Sequence, residues 1–401
     1  MPMPTLGVSV YPEMRPLDEI ATELARAARH GYTRVFSSMF SMPGSREEVL
    51  RRFGELVGMA HGVGMEVSLD VNPACMERLG ATPDDLAVFA GIGADILRMD
   101  GAYGEDDNVA MLMNPHGLRI EYNASALDPG QVERLLVRGV SRERLLTCHN
   151  FYPQRYTGMA WQRFVDVNDR LSGLGLRIGA FVASHAPNTH GVWDATCGLP
   201  TVERLRDVPA DLAARLMVAA GVTDVFFGNA YASDEELALV AEALAPVEAH
   251  FADERHREFV ETALSFGGEG CSVAALAGRD RKVRVEPLYD LSATEREILF
   301  DFYPHVDMGD SSEWIWRTRM PRELYRDRVI EPRRSPLEEF PVGSVVMVND
   351  RYRHYAGEVQ VVLRPIRNDG TRNLVARIDE QEMAMFEFVR PGDPVTFLPV
   401  R

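Results

Sequence analysis

From residue 6 to residue 244 one pattern of apolar and polar positions recurs eight times. A short apolar run, often β-branched, is followed by a polar loop and then by a stretch of helical period. The apolar runs fall at 6–11, 34–40, 66–71, 96–100, 119–123, 145–151, 177–183 and 224–228. The helical stretches between and after them fall at about 17–30, 45–62, 105–114, 128–138, 157–172, 210–220 and 233–244. A further helix is expected to open at Thr82-Pro83-Asp84-Asp85, which offers an N-cap followed by proline at the first helical position. Asp128-Pro129 is a second signal of this kind. Glycines stand just ahead of five of the strands (Gly31, Gly64, Gly93, Gly175, Gly221), as helix ends require.

Eight strand–helix units match the count and size of a (β/α)₈ TIM barrel. Continuous apolar strands suit a parallel sheet buried on both faces. An open doubly wound sheet is the alternative arrangement of the same pattern. Beyond residue 251 the character changes. Residues 254–266 have the period of a connecting helix, and short strands with turns follow at 283–285, 344–349, 357–363, 374–378 and 395–399. The dipeptides Asp369-Gly370 and Pro391-Gly392 mark turns. The glycine-rich run 266–270 lacks a following Lys-Ser/Thr and is taken as a turn, with no phosphate loop. The expected organisation is therefore a barrel over 1–250 and a smaller β-rich domain over 255–401, an α/β protein as a whole.

Charge narrows the partners. Lys and Arg number 43 and Asp and Glu 60, a formal net charge of −17. Such a surface repels nucleic acid and anionic lipid. The four cysteines show no C-x-x-C spacing, and residues 1–5 carry neither a basic nor an apolar leader pattern. A cytoplasmic protein with reduced thiols is expected, with a small molecule as partner and a homodimer as a candidate assembly.

In a TIM barrel the chemistry gathers at the C-terminal strand ends. That rule selects Glu13 after strand 1, Asp70 on strand 3, Asp100 at the end of strand 4 and Glu121 and Asn123 on strand 5. At the end of strand 6 it selects His149, Asn150 and Tyr152. A carboxylate at such a place is costly to desolvate, which structure alone rarely demands. Asp70 and Asp100 could equally cap helices or turns; Glu121 could form a salt bridge inside the barrel; His149 could be a satisfied core histidine. Several acids around one mouth suit glycosidic cleavage, in which one carboxyl protonates the leaving oxygen and another attacks or stabilises the sugar carbon. They also suit a metal site, but no His-x-His or His-x-x-x-His pair stands on a strand, so neither metal nor another cofactor is expected. The basic segment 316–322 is a candidate anion site or a solvated basic face.

Particular phrases then narrow the field. Tyr122-Asn123-Ala124-Ser125, Cys148-His149-Asn150-Phe151-Tyr152-Pro153 with Tyr156-Thr157-Gly158, Gly198-Leu199-Pro200-Thr201-Val202-Glu203 with Arg206, and Asn349-Asp350 through Tyr355-Ala356-Gly357-Glu358 occur together. In combination they resemble the 6-phospho-N-acetylmuramidase family of bacterial proteins over nearly the whole chain. The resemblance implies a TIM barrel followed by a cyclophilin-like β domain. It implies a glycosidase releasing a phosphorylated N-acetylmuramic acid from a disaccharide during peptidoglycan recycling. It also implies a phosphate held near Arg317. The chain departs from the family's pattern at Thr318-Arg319, at the 190–194 loop and at Asn229.

Together the two lines of argument name Asp100, Glu121 and Asp70 as catalytic candidates, with Asp100 and Glu121 preferred. Glu13, Asn123, His149, Asn150, Tyr152, Arg317 and Tyr355 are the candidates for substrate binding. The competing functions are a metal-assisted hydrolase, a sugar-phosphate isomerase or epimerase, and a non-catalytic sugar-phosphate binding protein.

Overall fold

The computed structural model describes residues 3–101, 103–192, 197–265, 272–276 and 279–400. The chain divides into two compact units, Met3–Leu244 and the part from Ala245 onward. The first unit is a closed barrel of eight parallel strands in sequence order. They are β1 (Thr5–Ser9), β2 (Arg34–Ser38), β3 (Glu66–Val71), β4 (Ile96–Met99), β5 (Arg119–Asn123), β6 (Leu145–Cys148), β7 (Arg177–Val182) and β8 (Asp224–Phe227). The pairing of β1 with β8, Gly7 opposite Phe226, closes the ring and excludes the doubly wound alternative.

The helices follow the apolar period with local caps. Ser45 forms a full capping box with Glu48 ahead of Arg46–Gly62. Asp128 accepts the Gly130 N–H at the start of Pro129–Val137. The expected helix start at Thr82 is not there. Thr82 and Asp85 pair across a tight turn, and the helix that follows, Ala87–Gly91, has no side-chain cap. The reason lies one element earlier. Asn72 caps a separate helix, Pro73–Leu79, which ends at Gly80 in the left-handed region (φ 73°), so the chain must turn before it can start again.

The barrel interior is filled in layers. Near the base, Arg34 lies 2.9 Å from Glu121 and 3.5 Å from Asp224, and Arg177 also pairs with Asp224. Above this ionic layer sit Phe36, Phe181, Phe226, Cys148 and Tyr11. Phe226 has room because two facing positions lack side chains. A Cβ on Gly7 would come within 2.2 Å of its ring, and one on Gly179 within 3.3 Å. Burying one such ring contributes about 1.5–3 kcal/mol. The layer separates the ionic base from the mouth.

The second unit is β-rich, as the change in pattern predicts. Its strands are β9 (Arg281–Pro287), β10 (His305–Val306), β11 (Ile315–Thr318), β12 (Glu339–Phe340), β13 (Ser344–Val348), β14 (Val359–Val362), β15 (Ile366–Arg367), β16 (Arg372–Arg377) and β17 (Pro394–Pro399). Seven of them form one sheet in the order β10-β17-β9-β16-β13-β14-β11, with β12 and β15 as a separate pair. The basic segment after residue 315 is β11 followed by the short helix Met320–Leu324. The glycine run 266–270 lies outside the described residues. Among the described residues no helix is long and apolar enough to cross a membrane.

Candidate active site

The C-terminal ends of β2, β3, β4 and β6 surround a pocket of about 410 Å³. Asp70, Arg98, Asp100 and Asn150 supply its polar wall, and Phe36, Phe151 and Phe181 its apolar one. The three rings meet edge to face, at centroid distances of 5.1–5.9 Å, a rigid packing favoured by their quadrupoles.

Arg98 organises the polar side. It stands in the middle of β4, buried, and its guanidinium fans out to three neighbours. Nη1 lies 2.6 Å from Asp70 Oδ1 and 4.0 Å from Asp100 Oδ1. Nη2 donates to Asn150 Oδ1. The two carboxylate oxygens share one nitrogen, which caps their separation at about 6.6 Å, the sum of those distances. Asp70 is only 5% exposed. Burial pushes its pKa up to about 6 against the opposing pull of Arg98. Asp100 has a side chain 37% exposed, and Asn123 Nδ2 donates to it at 3.4 Å. One acid is thus partly desolvated and the other open to solvent, the division of labour that acid–base chemistry uses.

The other predicted residues lie elsewhere. Glu121 is 1% exposed and sits one pleat below Asp70, level with Ser68. It takes Arg34 at 2.9 Å and the Ser68 hydroxyl at 3.0 Å. This is the interior salt bridge, one of the two roles its position allowed. His149 is fully buried behind the mouth. Its Nε2 faces Asn168 Oδ1 at 2.8 Å and its Nδ1 faces Ser125 Oγ at 3.1 Å. Burial lowers its pKa to about 4, so the ring is neutral. Ser125 in turn accepts the Asn150 N–H at 3.1 Å, so His149 reaches the pocket through Asn150 and not by contact. Glu13 accepts the Ser41 hydroxyl at 2.7 Å and is pushed up by burial. Tyr152 is placed by its backbone N–H, which donates to Pro200 O at 3.0 Å. Asn123 shares with Asp100 a second pocket of about 730 Å³. Asn229 is a buried clamp that exchanges two hydrogen bonds with the Ser184 backbone, at 2.9 and 3.0 Å. Trp193 and Asp194 of the variant loop lie outside the described residues.

Sequence reasoning missed Arg98. The signal was present, because an arginine inside Ile96-Leu97-Arg98-Met99 cannot be buried without a carboxylate partner. It also missed Ser125 and Asn168, whose roles depend on contacts across the fold. Among the described residues no group of three His, Cys, Asp or Glu side chains is placed to hold a metal ion.

In the second unit, Arg317 lies 2.7 Å and Arg322 3.5 Å from the same oxygen of Glu358, which is wholly buried. The Tyr355 ring faces both guanidiniums, at 5.7 and 4.7 Å. Arg322 Nε also lies 3.4 Å from Glu323 Oε1, so two carboxylates face the two guanidiniums.

Fold and mouth together define a TIM barrel with paired carboxyls at its strand ends, joined to a β-rich unit. The chain belongs to the 6-phospho-N-acetylmuramidase family: the N-terminal family profile matches residues 6–242 and the C-terminal profile residues 282–398. Among solved structures it is similar to an uncharacterized B. cereus protein, at 29% identity and TM-score 0.81 over 99% of each chain. It is also similar in fold to a conserved Enterococcus faecalis protein of unknown function, at 22% identity and TM-score 0.63, over 98% of this chain and 96% of that one. No curated protein matches it.

Proposed function

We propose that the protein is a glycoside hydrolase that cleaves a phosphorylated amino-sugar disaccharide, as its family's description suggests, with Asp70 and Asp100 as the working carboxyls. The observation that carries this reading is the pair of acids held around one arginine at the barrel mouth, one buried and one exposed. Asp70, which burial keeps protonated up to about pH 6, gives its proton to the leaving glycosidic oxygen as the carbon–oxygen bond breaks. Asp100 attacks the sugar carbon from the opposite side to form a glycosyl ester, which water then hydrolyses as Asp70 takes back a proton from that water. Carboxyls about 5–5.5 Å apart go with retention and about 6.5–9.5 Å with inversion. The cap of about 6.6 Å set by the shared nitrogen favours retention. Arg98 holds both acids and Asn150 in register. Glu121 supports the barrel beneath them, which moves it out of the catalytic pair preferred on sequence grounds.

Within the second unit, Arg317 and Arg322, with Tyr355 stacked beside them, are the candidate anion-holding group. Two guanidiniums facing one aromatic ring support this, since guanidinium forks match phosphate oxygens. Recovery of cell-wall amino sugars in the cytoplasm is the corresponding role. The test is hydrolysis of a disaccharide of N-acetylmuramic acid 6-phosphate and N-acetylglucosamine, with the anomer of the first product read by NMR. Asp70→Asn and Asp100→Asn should each cut kcat by about 10²–10⁴-fold, with unchanged circular dichroism. Full turnover in either variant would remove that residue from the mechanism.

A further inference from the structure

Ser125 stands outside the residues that line the pocket of the two acids, yet hydrogen bonds lead from it to both. Its Oγ accepts the Asn150 N–H at 3.1 Å. The Asn150 side chain takes Arg98 Nη2, and Arg98 Nη1 reaches Asp70 at 2.6 Å. On the other side, the Ser125 backbone N–H donates to Asn123 Oδ1 at 3.0 Å. That turns the Asn123 amide nitrogen toward Asp100, 3.4 Å away. One residue thus anchors two branches, each ending on a carboxyl.

The sense of each bond behind Ser125 is set from the helix layer outside the sheet. Asn168, on the helix Trp161–Gly173, donates its amide nitrogen to the Ala220 carbonyl at 2.9 Å. A carbonyl only accepts, so the Asn168 oxygen is the atom left to face His149 Nε2, at 2.8 Å. Nε2 therefore carries the proton of the ring. Burial keeps the imidazole neutral, with its pKa lowered to about 4, so Nδ1 is bare and accepts the Ser125 hydroxyl at 3.1 Å. The Met159 sulfur, 3.3 Å from the same Oγ, is a far weaker acceptor. With its proton directed at His149, Ser125 Oγ presents a lone pair to the Asn150 N–H. His149 and Asn168 are both wholly buried, so bulk water does not compete for these contacts. The Phe164 ring, 4.9 Å from the imidazole, packs against it.

We infer that Ser125 is a positioning residue: His149, in its Nε2–H tautomer, aims a Ser125 lone pair at the mouth, and through Asn150 and Asn123 this holds Arg98, Asp70 and Asp100 in their working geometry. The inference rests on the hydrolase reading for its effect on rate, but not for its effect on Asp70. The experiment compares the full chain with Ser125→Ala and with Ser125→Thr, which keeps the hydroxyl. Ring ¹⁵N shifts of the unaltered protein near neutral pH should place the His149 proton on Nε2; a proton on Nδ1 would overturn the inference. Ser125→Ala leaves the Asn150 N–H without its acceptor and loosens Arg98, whose pull holds Asp70 down. The Asp70 carboxyl, followed by ¹³C NMR, should then titrate above its value of about 6. Ser125→Ala should also lower kcat by roughly tenfold to a hundredfold, the cost of displacing a reacting group by about an ångström, with little change in KM. Ser125→Thr should restore both the titration and kcat. A Tm lowered by Ser125→Ala, with the Asp70 titration and kcat unchanged, would show that the hydroxyl serves the fold alone and would sink the proposal. A shifted Asp70 titration in a protein that cleaves no disaccharide would support the positioning role and remove the hydrolase reading alone.

Discussion

Asp70 and Glu121 are both buried acids on neighbouring barrel positions, and their surroundings give them opposite duties. Asp70 keeps its proton to a higher pH than an ordinary aspartate, because burial outweighs the pull of Arg98. As the proton donor it must stay protonated, so kcat/KM should fall as pH rises through about 6. A pH–rate profile with no descending limb near that value would exclude Asp70 as the acid. Its folded pKa exceeds the ordinary value of 3.8, so its stabilising contribution is complete below 3.8 and lost as pH rises through about 6. Glu121 instead holds Arg34 in the interior. Glu121→Ala should destabilise the fold by about 3–5 kcal/mol, because it leaves a buried guanidinium without its nearest partner. Chemical denaturation measures this, and a loss below about 1 kcal/mol would mean that Asp224 alone satisfies Arg34. The two acids look alike in sequence, both one strand position from an apolar run. Glu121 meets Arg34 across the barrel interior, from β5 to β2, so the pairing depends on level inside the closed barrel and not on neighbouring strands.

At the scale of elements, close approach decides where a side chain fits. Gly228 follows β8, and a Cβ there would come within 2.2 Å of the Leu199 carbonyl oxygen. The obstacle is backbone and cannot swing aside. The Gly228 carbonyl also accepts the Tyr11 hydroxyl at 2.6 Å. Gly228→Ala should therefore cost about 1–3 kcal/mol and disturb the rim of the mouth. Gly58 lies within the helix Arg46–Gly62 with nothing within 4 Å of a new Cβ. Gly58→Ala should raise stability by about 0.5–1 kcal/mol. Thermal melts of the two variants should move in opposite directions, and a shared direction would contradict the packing described. The apolar runs and most helices were legible because their periods are local. The false helix start at Thr82 arose because its cap signal is genuine, but Asn72 and Gly80 had already placed a helix and a stop just before it.

At the scale of the whole molecule, each unit carries a neutral histidine in its interior. His305 of the second unit packs against Phe302 and Phe397, and burial lowers its pKa to about 4. Its contribution is present above the ordinary value of 6.5 and is lost as pH falls through about 4. His305→Leu removes that titration, so its stability relative to wild type should improve steadily between pH 6.5 and pH 4. A difference that stays constant across that window would show that His305 is not held neutral by burial.

The sequence alone determined the eight strand–helix units, the change to a β-rich second part and the carboxyls at strand ends. Each is written in local periodicity or in the cost of placing charge beside apolar runs. Tertiary structure decided the rest. Pairing of β1 with β8 turned a pattern common to two folds into a barrel. Register across β3, β4 and β5 then set Arg98 between Asp70 and Asp100 and pointed Glu121 at Arg34. Those partners are separated by 28 and 87 residues along the chain. No local signal can join them, because an ion pair is specified by distance in space, and only closure of the sheet brings that distance to a few ångströms.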